Sequence, residues 1–274
     1  NAISLNSTCC NVTRHLGPAI GGLLIAHTGI TVCFFVNFLC IIPMIFLVKA
    51  LKIKDVKCGK IQNETILEGL KEGIDYAIKT PEILTLLLYL AVFSFIGMTY
   101  PMLMPIYTAE ILHDKADTLG FLMGAAGIGA LFASLFLAAK TSLVGLRRIL
   151  FAGAVIFSIG FITIGLCHTK LTAILAMFMV GLGMTSSITP DNTLTQAIVD
   201  DDKRGRVMSL NAICYMGTTS ISSFIAGFIA NLIGIANTFI LFGIVMLLFG
   251  IAFGYRFSKL NFKSKKIHFI EIPF

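Results

Sequence analysis

Only 13% of the 274 residues are Asp, Glu, Lys or Arg, against 57% hydrophobic, and the mean hydropathy is +0.91. So little charge excludes a soluble domain: much of the surface has to face lipid. Catalytic signatures are missing as well. There is no Gly-x-x-x-x-Gly-Lys-Ser loop, no His-Glu-x-x-His, and no Ser/His/Asp set outside the apolar runs. The seven cysteines (Cys9, Cys10, Cys33, Cys40, Cys58, Cys167, Cys214) show no Cys-x-x-Cys spacing and sit mostly within apolar stretches. They read as small packing residues, so neither a disulfide framework nor a metal site is expected. The chain is therefore expected to be no enzyme and to use no cofactor.

What is present is a series of apolar runs. Eight are long enough to cross a hydrocarbon layer of about 30 Å as helices of about 20 residues: 2–27, 31–49, 83–109, 118–139, 148–168, 171–190, 207–232 and 235–255. Helices satisfy their own backbone in lipid, so the predicted fold class is an all-α membrane protein, a helical bundle. Eight crossings put both ends on one side, and that side collects 18 of the 21 Lys and Arg. By the positive-inside rule both termini of the chain and the 50–82 loop face the cytoplasm, in the cell (inner) membrane. The net charge of +7 is thus a topology signal and not a nucleic-acid footprint.

The chain also matches itself at an offset of 205 residues. Ten of the 32 positions from Ile3 to Phe34 recur between Met208 and Phe239, among them Ser4-Leu5-Asn6 as Ser209-Leu210-Asn211. Chance gives roughly two or three. A repeat of this kind points to a transporter of two related halves. The pair of helices in 1–50 then closes a first half, 51–81 is a cytoplasmic linker with an amphipathic helix, 82–256 is a six-helix second half, and 257–274 is a basic tail. The chain opens at Asn1, inside a helix, and reads as a fragment that lacks four preceding helices. In the linker, Ile66, Leu67, Leu70, Ile74, Ala77 and Ile78 form one apolar stripe.

Three motifs carry a resemblance. Thr13-Arg14-His15-Leu16-Gly17-Pro18-Ala19-Ile20-Gly21-Gly22 resembles the antiporter motif Gly-x-x-x-Gly-Pro-x-x-Gly-Gly of the major facilitator superfamily, with Thr13 in place of its first Gly. From packing alone, Gly17, Pro18, Gly21 and Gly22 read equally as a tight helix seam. Arg204-Gly205-Arg206-Val207-Met208-Ser209-Leu210 is similar to a cytoplasmic element of the exporter branch that includes enterobactin and macrolide efflux proteins. The loop with Gly145, Arg147 and Arg148 resembles the Asp-Arg-x-Gly-Arg-Arg gating loop without its Asp. The resemblance implies helices five to twelve of a twelve-helix transporter, with Gly145, Arg147, Arg148, Arg204, Gly205 and Arg206 at a cytoplasmic gate. It also implies export of a small amphipathic molecule, a drug or siderophore, by alternating access with proton antiport. A lipid or lysolipid flippase on the same fold, a non-transporting scaffold and a nonfunctional fragment stay open as alternatives.

Arg14 lies about 12 residues into its helix, near mid-bilayer at about 1.5 Å per residue, where a charge needs a partner or water. Either a structural ion pair or a role toward substrate or proton fits it. None of the 14 acidic residues is expected deep in a helix, with Glu110 and Asp191 placed near helix ends. The proton-binding acid is accordingly expected in the missing helices. Gly97, Tyr100, Pro101 and Pro105 should break the third run, and interrupted helices border transporter cavities. Tyr89, Tyr100 and Tyr107, with Thr185, Ser186 and Asp191 at a second polar break, are candidate cavity lining, or else packing contacts. The expected partners are a small-molecule substrate, protons, the lipid bilayer and the absent helices of the same protein.

Overall fold

The computed structural model describes Leu24, Thr28 and residues 30–50, 66–114, 116–139, 145–200 and 202–259. Among them every regular element is helical. They are α1 (Ile30–Ala50), α2 (Ile66–Lys79), α3 (Pro81–Gly97), α4 (Tyr100–Glu110), α5 (Ala116–Ala138), α6 (Leu146–Leu166), α7 (Lys170–Ile198), α8 (Arg204–Ala212), α9 (Thr218–Ile233) and α10 (Ile235–Lys259). A π-turn, Ile213–Gly217, joins α8 to α9. Among the described residues six spans are long and apolar enough to cross a membrane, Pro81–Glu110 and Arg204–Ile233 each combining two helices. The motif with Arg14, Gly17, Pro18, Gly21 and Gly22 lies outside the described residues.

Local chemistry explains the boundaries. Pro81 occupies the first turn of α3, where its missing N–H costs nothing, and Thr80 before it is extended. The same span breaks at Met98 and Thr99, between Gly97 and Pro101, and the Thr99 hydroxyl donates to the Ile96 carbonyl at 2.6 Å. Sequence reasoning put the end of α7 at Pro190; the helix instead runs to Ile198. Pro190 removes one N–H, but its neighbours are buried against other helices, so the polar run Thr185–Asp191 stays helical. Asp191 is therefore interior and not terminal, which corrects the expectation that no carboxylate lies deep in a helix.

The bundle core is a chain of aromatic rings drawn from four helices. Centroids lie 5.7 Å apart for Tyr89–Phe93, 4.9 Å for Phe93–Phe157, 4.4 Å for Phe157–Phe161, 5.3 Å for Phe161–Phe239 and 5.8 Å for Phe239–Tyr107. All six side chains are fully buried. Around this spine α5, α6, α7 and α10 approach through glycines. Gly129 lies against the Phe178 carbonyl, Gly181 against that of Ala126, Gly153 against Ser186 and Ser187, and Gly243 against Ile162. Membrane helices gain little from hydrophobic contrast with lipid, so close backbone approach of this kind supplies the packing.

Tyr107, expected to line a cavity, belongs to that core. Its hydroxyl lies 3.0 Å from the Ile164 carbonyl and 2.9 Å from that of Cys167, donating to the orphan carbonyls at the end of α6. Tyr107→Phe should cost about 1 kcal/mol, the usual net value of one hydrogen bond. Thermal melting of the purified protein in detergent measures it, and an unchanged midpoint would remove the capping role.

Candidate functional site

Three polar features stand out in this apolar body. The first is a clamp at the end of the bundle that carries α2. Glu72 of α2 pairs with both Lys203 and Arg206 at the start of α8, and Lys203 also lies 3.7 Å from Asp202. The Tyr76 hydroxyl donates to the Asp200 carboxylate at 3.0 Å and accepts the Asp200 N–H at 3.3 Å. Gly73 makes the approach possible: a Cβ there would stand 3.3 Å from Leu210 Cδ1 and 3.4 Å from Arg206. Beneath the charges lies an apolar layer of Ala77, Ile83, Leu87, Val199, Val207 and Leu210. The stripe read along α2 thus divides, since Ala77 is buried in this layer whereas Ile74 and Ile78 are exposed.

Electrostatics favour the clamp at ordinary pH. The hydrogen bond from Lys203 is the main influence holding the Glu72 carboxyl below its usual 4.5, and the same bond raises the Lys203 ammonium above its usual 10.5. Burial pushes the Tyr76 phenol up, keeping it neutral and able to donate. Of the gate residues anticipated from sequence, Arg206 is thus given an acidic partner. Arg204 and Gly205 are exposed at the helix start, and a Cβ on Gly205 would meet nothing within 4 Å. Glu72 escaped sequence reasoning because its partners are 131 and 134 positions away; only its place on α2, opposite an Arg-rich helix start, hinted at it.

The second feature is a cavity of about 700 Å³ between α5, α6 and α7. Its walls are Phe132, Phe136, Ile149, Ile156 and Leu182, and its polar groups are Arg148 and Ser186. Gly145 stands at its edge with φ 90°, a left-handed conformation in which a side chain is strained. Glycine there turns the chain into α6 and sets Arg148 at the cavity. The structure thus brings together Gly145, Arg148 and Ser186, while Arg147, half-buried, lies outside the lining. An apolar wall with one guanidinium suits an amphipathic molecule bearing an anionic group.

The third is a buried polar cluster. Asp191 is wholly buried and neither carboxylate oxygen has a hydrogen-bond partner. Tyr89 Oη, Ser94 Oγ, Thr195 Oγ1 and Asn211 Nδ2 are likewise buried and unpartnered. Of the remaining cavity candidates, Tyr89 lies in the core and not on a cavity wall, Tyr100 is half-buried and Thr185 is buried.

The chain matches the family described as transmembrane secretion effector over residues 1–269. It is 26% identical over 275 residues to the staphyloferrin A transporter of Staphylococcus aureus, covering 97% of this chain and 66% of that protein. It is 24% identical over 272 residues to the multidrug efflux pump Tap of Mycolicibacterium fortuitum, again covering 97% of this chain and 66% of the relative. The chain therefore spans just under two-thirds of these relatives, and its helices match the all-α, multi-pass architecture that their family implies. With a family match that runs almost from end to end, this chain belongs to the transmembrane secretion effector family of the major facilitator superfamily of transporters.

Proposed function

We infer that the whole protein exports a small amphipathic molecule, a siderophore or drug-like compound with an anionic group, by alternating access driven by proton antiport. The observation that carries this reading is the cavity between α5, α6 and α7, apolar except for Arg148 and Ser186. The two relatives named for a siderophore and for multidrug efflux support the substrate class. In this reading residues 1–50 belong to a first half, 51–81 link the halves, and 82–256 form the second half, with 257–274 as a tail. The positive-inside rule puts both ends of the chain, and the clamp with them, at the cytoplasmic face of the cell membrane. Arg206, Lys203 and Glu72 close that side, and Gly145 and Arg148 sit at the cavity mouth.

The test is uptake by inside-out vesicles containing the full-length protein, with a pH gradient imposed acid inside. Siderophore or anionic dye should accumulate and leak out when a protonophore collapses the gradient. Transport of lysolipid alone, or accumulation indifferent to the gradient, overturns the reading. Arg148→Gln should raise KM several-fold for anionic substrates and leave neutral ones unchanged, since only the former use the guanidinium. Equal losses for both would place Arg148 outside the binding site.

A further inference from the structure

We propose that Asp191 binds the coupling proton within the six-helix body, on a buried polar face of α7 that Tyr89 of α3 and Cys214 of the π-turn approach. The proposal rests on the antiport reading above and gives it a carboxylate in this part of the chain.

Geometry carries it. On α7, Ser187, Asp191 and Thr195 recur every fourth residue and so share one face. From α3, Tyr89 reaches that face with its hydroxyl toward Ser187, whose own hydroxyl donates to the Leu150 carbonyl, so that Tyr89 Oη makes no hydrogen bond of normal geometry. Asn211 from the end of α8 adds an unpartnered Nδ2, and Cys214 of the π-turn faces Asp191. Counted from the clamp-side helix ends, Tyr89, Asp191 and Asn211 are seven or eight residues in, a common depth of about 10–12 Å at about 1.5 Å per residue. Above them the layer of Ile83, Leu87, Val199, Val207 and Leu210 shuts the cluster off from the clamp end.

An ionised carboxylate taken out of water without donors or a counter-ion is costly. Among the described residues, the titratable groups facing Asp191 are Tyr89 from α3 and Cys214 from the π-turn, and neither is a cation. This packing therefore accommodates the neutral acid. To ionise, the carboxyl needs water or the orphan donors Tyr89 Oη and Asn211 Nδ2 brought within reach.

Two local features allow that movement. Pro190 leaves the Ser186 carbonyl without its helical N–H partner, and the π-turn holds Asn211 and Cys214 beside an interrupted hydrogen-bond ladder. Opening of the clamp and its apolar layer would wet Asp191 from one side. The balance is simple: with the clamp open one O–H bond breaks and the proton passes to water on that side, and with the clamp shut and the opposite side open the carboxylate takes a proton from water there.

The experiment uses the full-length protein in proteoliposomes, with the siderophore or dye of the vesicle assay as substrate. Asp191→Asn should lose gradient-driven uphill transport at least tenfold while keeping substrate counterflow, which moves no net protons, within about twofold. Asp191→Glu should restore part of the driven rate. Infrared spectroscopy at neutral pH should show a protonated carboxyl C=O stretch that vanishes in Asp191→Asn. Driven transport surviving in Asp191→Asn, equal loss of driven transport and counterflow, or an unaltered infrared band each overturns the proposal. Wild-type transport that ignores the gradient refutes antiport itself, and the coupling role with it; a carboxyl band that persists in that case marks Asp191 as a structural acid.

Discussion

Gly181→Ala should destabilise the bundle by at least about 1–3 kcal/mol, the usual cost of overpacking an interior, with a matching fall in detergent melting temperature. At this position the methyl meets the backbone carbonyl of Ala126, which has no rotamer to change, so α5 and α7 have to part. Their separation would also disturb the neighbouring contact of Gly129 with the Phe178 carbonyl. The control is Gly124→Ala on the same helix pair, where an added Cβ meets nothing within 4 Å. Alanine is the better helix former by about 1 kcal/mol, so this variant should melt at or above the wild-type temperature. Identical behaviour of the two variants would show that glycine contacts do not hold the helices together.

Glu72→Lys should reduce transport at least tenfold and free α2 from α8. The substitution sets a third cation against Lys203 and Arg206, turning two attractions into two repulsions. Disulfide trapping between cysteines introduced at Gly73 and Leu210, whose side chain lies 3.3 Å from a Cβ built at Gly73, reports the docking directly and should weaken when Glu72 is replaced by Lys. Reversing the partners as well, with Lys203→Glu and Arg206→Glu, should recover part of the docking; no recovery would assign the loss to something other than charge. The pH dependence has a definite sign. Glu72 titrates below its usual value in the folded protein, so its contribution is complete above 4.5 and fades as pH falls through the depressed value. Lys203 is shifted upward, so its contribution is complete below 10.5 and fades as pH rises through the elevated value. Between those limits the ion pairs are complete, so any pH dependence of trapping should be that of the thiols alone, which makes the clamp insensitive to the proton gradient. Salt should weaken it, since all three side chains are partly exposed.

The helices were legible because runs of apolar residues about 20 long leave few alternatives in lipid. The break at Met98 and Thr99 was equally plain, announced by Gly97 and Pro101. The end of α7 was misread for a physical reason: a polar run closed by Pro190 looks like a terminus when nothing shows that its polar face is buried. Only the burial of that face, and the run of the helix on to Ile198, reveals Asp191 as an interior acid. The clamp was half legible, since the resemblance put Arg206 at a cytoplasmic gate, while Glu72 became visible only when α2 folded back. For Tyr89 and Tyr107 both readings stayed open in the sequence, because a Tyr in an interrupted helix suits a cavity wall and a core equally well. Their ring contacts decide for the core.

The span formed by α8, the π-turn and α9 differs mechanically from its neighbours. Phe224 is 78% exposed, Met216 71% and Leu232 67%, whereas the helices joined through glycines interlock backbone to backbone. A displacement at the clamp should therefore bend this span first, at its irregular turn, before it distorts the aromatic spine. Amide exchange should report the contrast, with slow exchange in α6 and α7 and faster exchange from Ile213 to Gly217. Elastic asymmetry of this kind lets a helix end travel without melting the body that guides it.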